Sequence, residues 1–520
     1  MLFVERLGAT ANVVVNFGTA TAQEAAAFVA YANGAPGDPR RIGSDDLGVD
    51  WGTVGQWAAR REANQDRLGA SPHPYGVEYW EVGNELYGSW EYTWTHSAQK
   101  YVTGGTAVQT AEQAVKADDW RASASVSDGR PGQVFFVRYP PVVTGTQSVA
   151  VGGTTWAPVA DLAAAPADAR VYAFDPLRGE IRFGNGDHGR VPPRGEGVTT
   201  TYLSGPHDGF ADYYAVMKAV DPEISVGSCF TSDAFLRAAG SDQAYDFVAI
   251  HPYEASGDLA GGGIQEAHLR TMAAPARVQA RIEDLRAGID LYAGLRAADV
   301  AIAVTEYNLY VPPDKSPAPH YGMALDQALF GADTLRRLAQ MGVPLANLHS
   351  LISAGEGEGW GNTSVLSPYP DLVMRSGGLA LSLVAQRMAG EAVTTVAEEV
   401  PLITGSVPAL ETAAARDTEG RRLTLLAINK DSAQAVTAEV SIDGFIPRGD
   451  AMVRTLTGRA ITAYNSPAHP QDVAVSTSAL PEAGAAFEYT FPPRSVTVIE
   501  LRSRSGSLYL PWTVSGNASG

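Results

Sequence analysis

Two glutamates at the ends of short apolar runs carry the chemistry that this sequence suggests. Glu85 ends the run WEVGNE at residues 80–85, and Glu306 lies in VTEYN at residues 304–308. Each run has the composition of a buried strand. Barrel enzymes place their catalytic groups at the C-terminal ends of strands. A carboxyl pair there can cleave a glycosidic bond, because one group protonates the leaving oxygen while the other, ionised, attacks or activates water.

The elements that must position these glutamates alternate along the chain. Short β-branched or apolar runs predict six strands, over residues 12–18, 76–82, 224–229, 247–250, 300–304 and 348–352. Helical patterns separate them, at residues 21–32, 56–66, 210–220, 278–295 and 324–341. Thr21 is the predicted N-cap of the first of these helices, with Glu24 at capping-box spacing. Strands and helices that alternate in this way predict βα units around a parallel sheet.

An eight-stranded βα barrel needs two strands more than these six, and only eleven residues precede Asn12. Residues 3–8 are typical of a helix end with its glycine cap. The expected fold is therefore α/β, a (β/α)8 TIM barrel lacking its first two strands, and the hypothesis is an N-terminally truncated product. In that case Glu85 and Glu306 end the fourth and seventh strands of the complete barrel. The alternative is a true six-strand α/β protein.

Two stretches depart from the βα pattern and predict further domains. The Val-, Thr-, Gly- and Pro-rich residues 104–205 predict a β-rich insertion in the loop after the fourth strand, because a structureless loop of that length is uncommon in a compact domain. Short strands at residues 422–428, 436–442, 452–456, 487–491 and 495–501 predict a C-terminal β-sandwich over residues 391–503. The partial barrel then comprises residues 1–103 and 206–390, and residues 504–520 form a polar tail.

Composition limits the possible partners. The chain has 520 residues and a net charge of -19, which disfavours nucleic acid and suits a neutral ligand such as a carbohydrate. No apolar run reaches the roughly 20 residues of a membrane-spanning helix. The single cysteine excludes an intrachain disulfide, and the nine histidines are scattered, so neither a metal nor a cofactor is predicted. Secretion and a cytoplasmic location both stay open, and a homo-oligomer is possible.

Four segments give the chain a specific resemblance. In order and spacing, residues 16–19 (NFGT), 79–85 (YWEVGNE), 251–253 (HPY) and 305–308 (TEYN) resemble α-L-arabinofuranosidases of the glycoside hydrolase family 51 type. The resemblance covers residues 1–100 and 209–503 but not the insertion. Family members begin with two barrel strands and a sandwich strand that have no counterpart here. The resemblance implies a retaining clan A glycosidase that removes terminal α-L-arabinofuranosyl residues from plant-type polysaccharides or oligosaccharides.

Carried over residue by residue, the resemblance assigns five positions. Glu85 matches the general acid/base and Glu306 the nucleophile. Asn84 matches the asparagine that binds the sugar 2-hydroxyl, and Tyr253 is a candidate hydrogen-bond donor to the nucleophile. His251 lies at a strand end, in a substrate-binding or a structural role. Another clan A activity (a β-xylosidase or an endoglucanase) and an inactive carbohydrate-binding barrel are the alternatives, since fold and paired carboxylates do not fix the sugar.

The neighbouring residues have competing interpretations. Trp80, Glu81 and Cys229 are expected to be structural. Trp90 and Trp94, on the loop after Glu85, either stack on sugar faces or pack the insertion. Glu356 and Glu358, beside Trp360, either shape the sugar subsite or belong to a solvated loop, and the solvated loop is the expectation. The insertion itself either walls the substrate cleft or is a peripheral ornament or oligomer contact.

Overall fold

The computed structural model describes residues 1–117, 125–255, 257–352 and 363–503. The chain divides into two compact units, Met1–Ile250 with Leu285–Ile302, and His251–Asp284 with Ala303–Gly520. Predictions for Glu356, Glu358, Trp360 and the tail at residues 504–520 lie outside the described residues.

The first unit contains both parallel and antiparallel sheets. Its helices are α1 (Leu2–Leu7), α2 (Ala22–Asn33), α3 (Val54–Arg67), α4 (Ala98–Thr103), α5 (Phe210–Val220) and α6 (Asp233–Ala239). Its strands are β1 (Asn12–Val15), β2 (Tyr79–Val82), β3 (Gly105–Gln113), β4 (Val115–Lys116), β5 (Val134–Phe136), β6 (Ser148–Val151), β7 (Thr154–Thr155), β8 (Ala157–Pro158), β9 (Val171–Asp175), β10 (Glu180–Phe183), β11 (Val198–His207), β12 (Ser225–Ser228) and β13 (Phe247–Ile250).

Strands β1, β2, β12 and β13 pair in parallel in that order, and each lies within or overlaps a predicted strand. Their side chains are mostly buried, as is usual for a parallel sheet covered by helices. The hydroxyl of Thr21 accepts a hydrogen bond from the Glu24 N–H and caps α2, as predicted. Helix α1 ends at Gly8 in the left-handed conformation, also as predicted.

Between α4 and α5 the chain forms two mostly antiparallel sheets, ordered β4-β5-β10-β9-β8 and β3-β11-β6-β7. They enclose a core of their own, formed by Ala114, Phe135, Val137, Val142, Val149, Val151, Trp156, Tyr172, Ile181, Phe183, Val198 and Tyr202. Gly105 at the start of β3 pairs with His207 at the end of β11. The chain therefore leaves and re-enters the helical region at neighbouring points, which lets a large insertion fit there.

The second unit begins at His251 and contains most of α7 (Gly263–Tyr292), whose residues from Leu285 onward belong to the first unit. It further contains α8 (Leu325–Gln340), α9 (Ser376–Arg387), and strands β14 (Ala301–Tyr307), whose first residues belong to the first unit, and β15 (Ala346–Leu348). Strand β14 pairs in parallel with β15, with Val304 opposite Ala346. The chain is thus an α/β protein with parallel strands and several antiparallel sheets. The assignment to an eight-stranded barrel that lacks its first two strands stays a prediction, and so do the domain boundaries.

The C-terminal residues form antiparallel sheets. Their strands are β16 (Glu391–Val393), β17 (Leu402–Thr404), β18 (Val407–Pro408), β19 (Leu410–Arg416), β20 (Arg422–Asn429), β21 (Val436–Ser441), β22 (Pro447–Gly458), β23 (Val473–Ala483), β24 (Ala486–Phe491) and β25 (Ser495–Ser503). Six of them form one sheet in the order β16-β19-β20-β25-β22-β23, while β21 pairs with β24 and β17 with β18. Sequence patterns predicted five of these ten strands; β16 to β19 and β23 were not predicted.

Helix α7 shows where local pattern misled the prediction. It begins at Gly263 rather than at residue 278, and Pro275 lies inside it, although an interior proline usually breaks a helix. Its first half is held by tertiary contacts instead. The buried His268 ring bonds the Asp326 carboxylate at 2.8 Å and the Lys430 carbonyl at 2.9 Å.

Candidate active site

Glu85 follows β2 in a strained turn. Its backbone φ is 45°, and that of Gly83 is 79°. A left-handed conformation costs a non-glycine residue roughly 1–2 kcal/mol, and such strain tends to be kept at functional sites. At Gly83 a Cβ atom would come within 2.5 Å of the Leu86 side chain. The turn is closed by the Gly88 N–H, which donates to the Glu85 carbonyl at 2.7 Å.

Two donors from the same loop hold the Glu85 carboxyl group. The Trp90 indole Nε1–H donates to Oε2 at 2.7 Å, and the Tyr87 hydroxyl donates to Oε1 at 3.2 Å. The two rings meet edge to face, with centroids 6.3 Å apart, and 64% of the Trp90 surface is exposed. The sequence singled out Trp90 as a stacking or packing residue but did not predict its hydrogen bond to Glu85. It did not single out Tyr87. Both donors follow Glu85 within five residues, and this short spacing was the feature of the sequence that could have predicted their contact with its carboxyl group.

Asn84 contacts the same loop. Its amide Nδ2 donates to Oε1 of Glu91 at 3.4 Å, and the side chain is half-buried. A contact with the sugar 2-hydroxyl stays a prediction for this residue.

Trp94 packs rather than lining an open surface. It is 2% exposed and stacks on Phe17, with centroids 5.8 Å apart, and on His207 at 4.7 Å. Nearby, the His96 ring bonds the Leu86 carbonyl at 2.8 Å. Of the two interpretations of Trp94, packing is therefore correct, and this packing fixes the far end of the loop that begins at Glu85.

Glu306 lies within β14, and its carboxylate contacts two of the predicted site residues. The Tyr253 hydroxyl donates to Oε2 at 2.7 Å. Nδ1 of His251 is 3.8 Å from the same oxygen, and its Nε2 bonds the Thr305 hydroxyl at 2.9 Å. About 23% of the Glu306 side chain remains exposed. A carboxylate with a hydroxyl donor and solvent access is equipped to act as a nucleophile.

Two residues of the same motif have roles that sequence reasoning missed. Thr305 is nearly buried and orients the His251 ring. Asn308 is fully buried, donates to the Thr363 carbonyl at 2.7 Å and accepts from the Gln327 amide at 3.0 Å. Asn308 thus anchors the end of β14. The signal available was their position beside Glu306.

The three residues expected to be structural, Trp80, Glu81 and Cys229, are all buried. Trp80 is buried, and its indole donates to the Val77 carbonyl at 3.0 Å. Glu81 is buried and accepts from the Asn12 amide at 3.4 Å. Cys229 is buried, and burial raises the pKa of its thiol far above the usual range. Such a thiol is a weak nucleophile.

Similar solved structures support the expected resemblance. An α-L-arabinofuranosidase from Thermotoga maritima, in an arabinose complex, is 20% identical with a TM-score of 0.59; the match covers 96% of this chain and 77% of that chain. A family 51 enzyme from Thermotoga petrophila RKU-1 has the same identity, TM-score and coverages. A family 51 enzyme from Bifidobacterium longum is 14% identical with a TM-score of 0.57, and the match covers 96% of this chain and 78% of that chain.

The fold is that of the family 51 α-L-arabinofuranosidases. At these identities the likeness establishes the fold alone. No protein-family model and no curated protein matches the chain. Among the described residues, no helix combines the length and the apolar character needed to cross a membrane.

Proposed function

We propose that this chain is a retaining glycoside hydrolase that removes terminal α-L-arabinofuranosyl residues from plant-type oligosaccharides or polysaccharides. The observation that carries the proposal is the setting of Glu306, whose partly exposed carboxylate accepts a hydrogen bond from Tyr253 beside His251. A general acid/base role is supported for Glu85, which follows β2 and whose carboxyl group accepts hydrogen bonds from Trp90 and Tyr87. The fold shared with family 51 enzymes supports the choice of sugar.

The proposed reaction has two displacements. In the first, a Glu306 oxygen attacks the anomeric carbon as the glycosidic bond breaks, and Glu85 gives its proton to the leaving oxygen. In the second, the Glu85 carboxylate takes a proton from water, whose oxygen attacks the anomeric carbon and releases Glu306. Tyr253 and His251 would orient the nucleophile, and Asn84 would bind the sugar. Retention requires the two carboxyl groups to act about 5–5.5 Å apart.

The test is hydrolysis of an aryl α-L-arabinofuranoside, with an aryl β-xyloside and a β-glucan as competing substrates. We expect turnover of the arabinofuranoside, release of the sugar with retained configuration by NMR, and a loss of several orders of magnitude in Glu306→Ala. Glu283→Ala removes an exposed carboxylate of α7 and serves as the matched control. Faster turnover of the xyloside or the glucan would reassign the sugar. If none of the substrates were hydrolysed, the proposed glycosidase activity would be refuted.

A further inference from the structure

The insertion, taken to the end of β11 at His207, makes three contacts with the loop that carries Glu85. This loop, residues 83–97, is called the acid/base loop here. The Gln109 amide of β3 donates to the Trp94 carbonyl at 2.8 Å. The Arg138 guanidinium lies over the Tyr92 ring, 4.9 Å from its centroid. The His207 ring, at the end of β11, is stacked on Trp94.

The groups that make these contacts are themselves fixed. The main-chain N–H of Arg138 donates to Oε1 of Glu112 at 2.7 Å, and the Tyr202 hydroxyl donates to the other oxygen of that carboxylate. The His207 ring is bonded to the Ser204 hydroxyl at 2.6 Å. Because Glu112 lies on β3 and the other bonding partners lie on β11, the paired strands β3 and β11 define where the contacts fall.

The acid/base loop also lies close to the residues that follow β1. A Cβ atom added at Gly18 would come within 2.6 Å of the Tyr92 carbonyl, so there is little room for the loop to move toward this segment. Trp90, which bonds the Glu85 carboxyl group, is two residues before Tyr92. A shift of Tyr92 or Trp94 is therefore transmitted to the group that orients Glu85.

We infer that the insertion positions the general acid/base, with Gln109 and Arg138 as positioning residues that act on Glu85 through the acid/base loop. The inference rests on the proposed function. It gives the insertion a role in proton transfer, in place of a wall of the cleft or a peripheral ornament. A misplacement of about 1 Å at a reacting group can cost on the order of 100-fold in rate.

Leaving-group dependence distinguishes this role from a general loss of structure. Protonation by Glu85 matters most for a sugar alcohol, which leaves poorly as an anion, and matters little for an acidic phenol. We therefore expect Gln109→Ala and Arg138→Ala to lower kcat/KM for an arabino-oligosaccharide roughly 10- to 100-fold. The value of kcat/KM for a dinitrophenyl arabinofuranoside reports the first displacement alone, and it should fall by less than about 3-fold in the same variants.

Matched controls lie in the same insertion. Gln113→Ala removes an exposed amide at the end of β3, and Arg178→Ala removes an exposed guanidinium from the turn after β9. Neither substitution should change kcat/KM for the oligosaccharide or for the dinitrophenyl arabinofuranoside. Hydrogen exchange by mass spectrometry gives a readout independent of activity, in which residues 83–97 should exchange faster in Gln109→Ala and Arg138→Ala than in the wild type and the two controls.

The outcomes separate the two hypotheses. Equal losses on both substrates, unchanged kinetics, or unchanged exchange of the acid/base loop would overturn the inference while leaving the proposed function intact. A wild-type protein that hydrolyses neither arabinofuranoside would refute the proposed function itself, and the positioning role with it. Faster exchange together with a selective loss on the oligosaccharide supports the inference.

Discussion

The Tyr253 hydroxyl donates a hydrogen bond of 2.7 Å to the Oε2 atom of Glu306. Tyr253 is part of the HPY segment that follows β13, and Glu306 is part of β14. A donor at this position holds one carboxylate oxygen and directs the other away from the phenol. The hydrogen bond is also charge-assisted, since Glu306 must be ionised to attack.

Tyr253→Phe tests this relationship with the smallest possible change. A hydrogen bond to a charged group contributes about 1.5–3 kcal/mol, so kcat/KM for an aryl arabinofuranoside should fall roughly 10- to 100-fold. The melting temperature should change little, because the ring is kept. Tyr369→Phe removes an exposed hydroxyl and should have no effect. Full activity in Tyr253→Phe would show that the bond has no part in the reaction.

Trp90 and Trp94 form a natural pair for separating activity from stability. Trp90 is 64% exposed and bonds Glu85, whereas Trp94 is 2% exposed and stacks on Phe17 and His207. We expect Trp90→Ala to lower kcat/KM with little change in stability. Trp94→Ala should lower the free energy of unfolding by about 3–5 kcal/mol, the usual cost of truncating a buried aromatic.

Urea unfolding and steady-state kinetics, measured on both tryptophan variants, check this prediction. Trp94→Phe retains an aromatic ring in the packed position and should cost less stability than Trp94→Ala. Trp90→Phe lacks the indole N–H that bonds Glu85 and should lower kcat/KM about as much as Trp90→Ala. A large loss of stability in Trp90→Ala, or a stable Trp94→Ala protein, would reverse the assignment of roles.

Sequence patterns located β1 and β2 because these strands depend on local composition. The β-branched run before Asn16 and the apolar run before Glu85 are long enough to predict β1 and β2. The N-cap of α2 follows from Thr21, and the C-cap of α1 follows from Gly8. The Glu306 environment was partly predictable, because Tyr253 follows from the resemblance. These features are local, or are carried by a motif of a few residues.

The remaining features depend on contacts between distant segments. Trp90 and Trp94 are four residues apart in similar sequence, and only the packing of Trp94 against His207 distinguishes them. Pro275 lies within the first half of α7, and Asp326 and Lys430, the partners of His268 in that half, lie far along the chain. No local pattern records such partners.

His207 should make the protein less stable in acid. Burial lowers the pKa of His207 from 6.5 to about 4. Between these two values the unfolded chain binds a proton that the folded chain does not, so stability falls as the pH falls through this window. The contribution is on the order of 2–3 kcal/mol by about pH 4, after allowance for partial exposure of the ring.

His207→Phe keeps an aromatic ring against Trp94 but cannot take up a proton. Urea unfolding at pH values from about 7 to 4 should show a smaller loss of stability in this variant than in the wild type. His188→Phe, at an exposed turn of the insertion, is the control and should follow the wild type. Parallel pH profiles for all three proteins would contradict the assignment to His207.

A buried ion cluster joins α8 to the C-terminal strands within the second unit. Asp333 is fully buried, 2.5 Å from Nζ of Lys430 and 2.7 Å from Nη2 of Arg336. Glu411 of β19 completes the cluster, 2.8 Å from Arg336 and 2.6 Å from Arg337. Burial alone would raise the pKa of Asp333, but the surrounding cations lower it below the usual 3.8. The ion pairs therefore stabilise the fold above that pH and weaken only in stronger acid.

Asp333→Asn should lower the free energy of unfolding by about 3–5 kcal/mol near neutral pH, because the buried Lys430 charge loses its nearer carboxylate and keeps only Glu411, 3.4 Å away, which also pairs with Arg336 and Arg337. Replacing both partners, as Asp333→Leu with Lys430→Met, removes the uncompensated charge and should cost less than Asp333→Asn alone. Asp290→Asn, on the exposed face of α7, is the control. If the single and double variants were equally unstable, lost packing rather than the poorly compensated Lys430 charge would account for the cost.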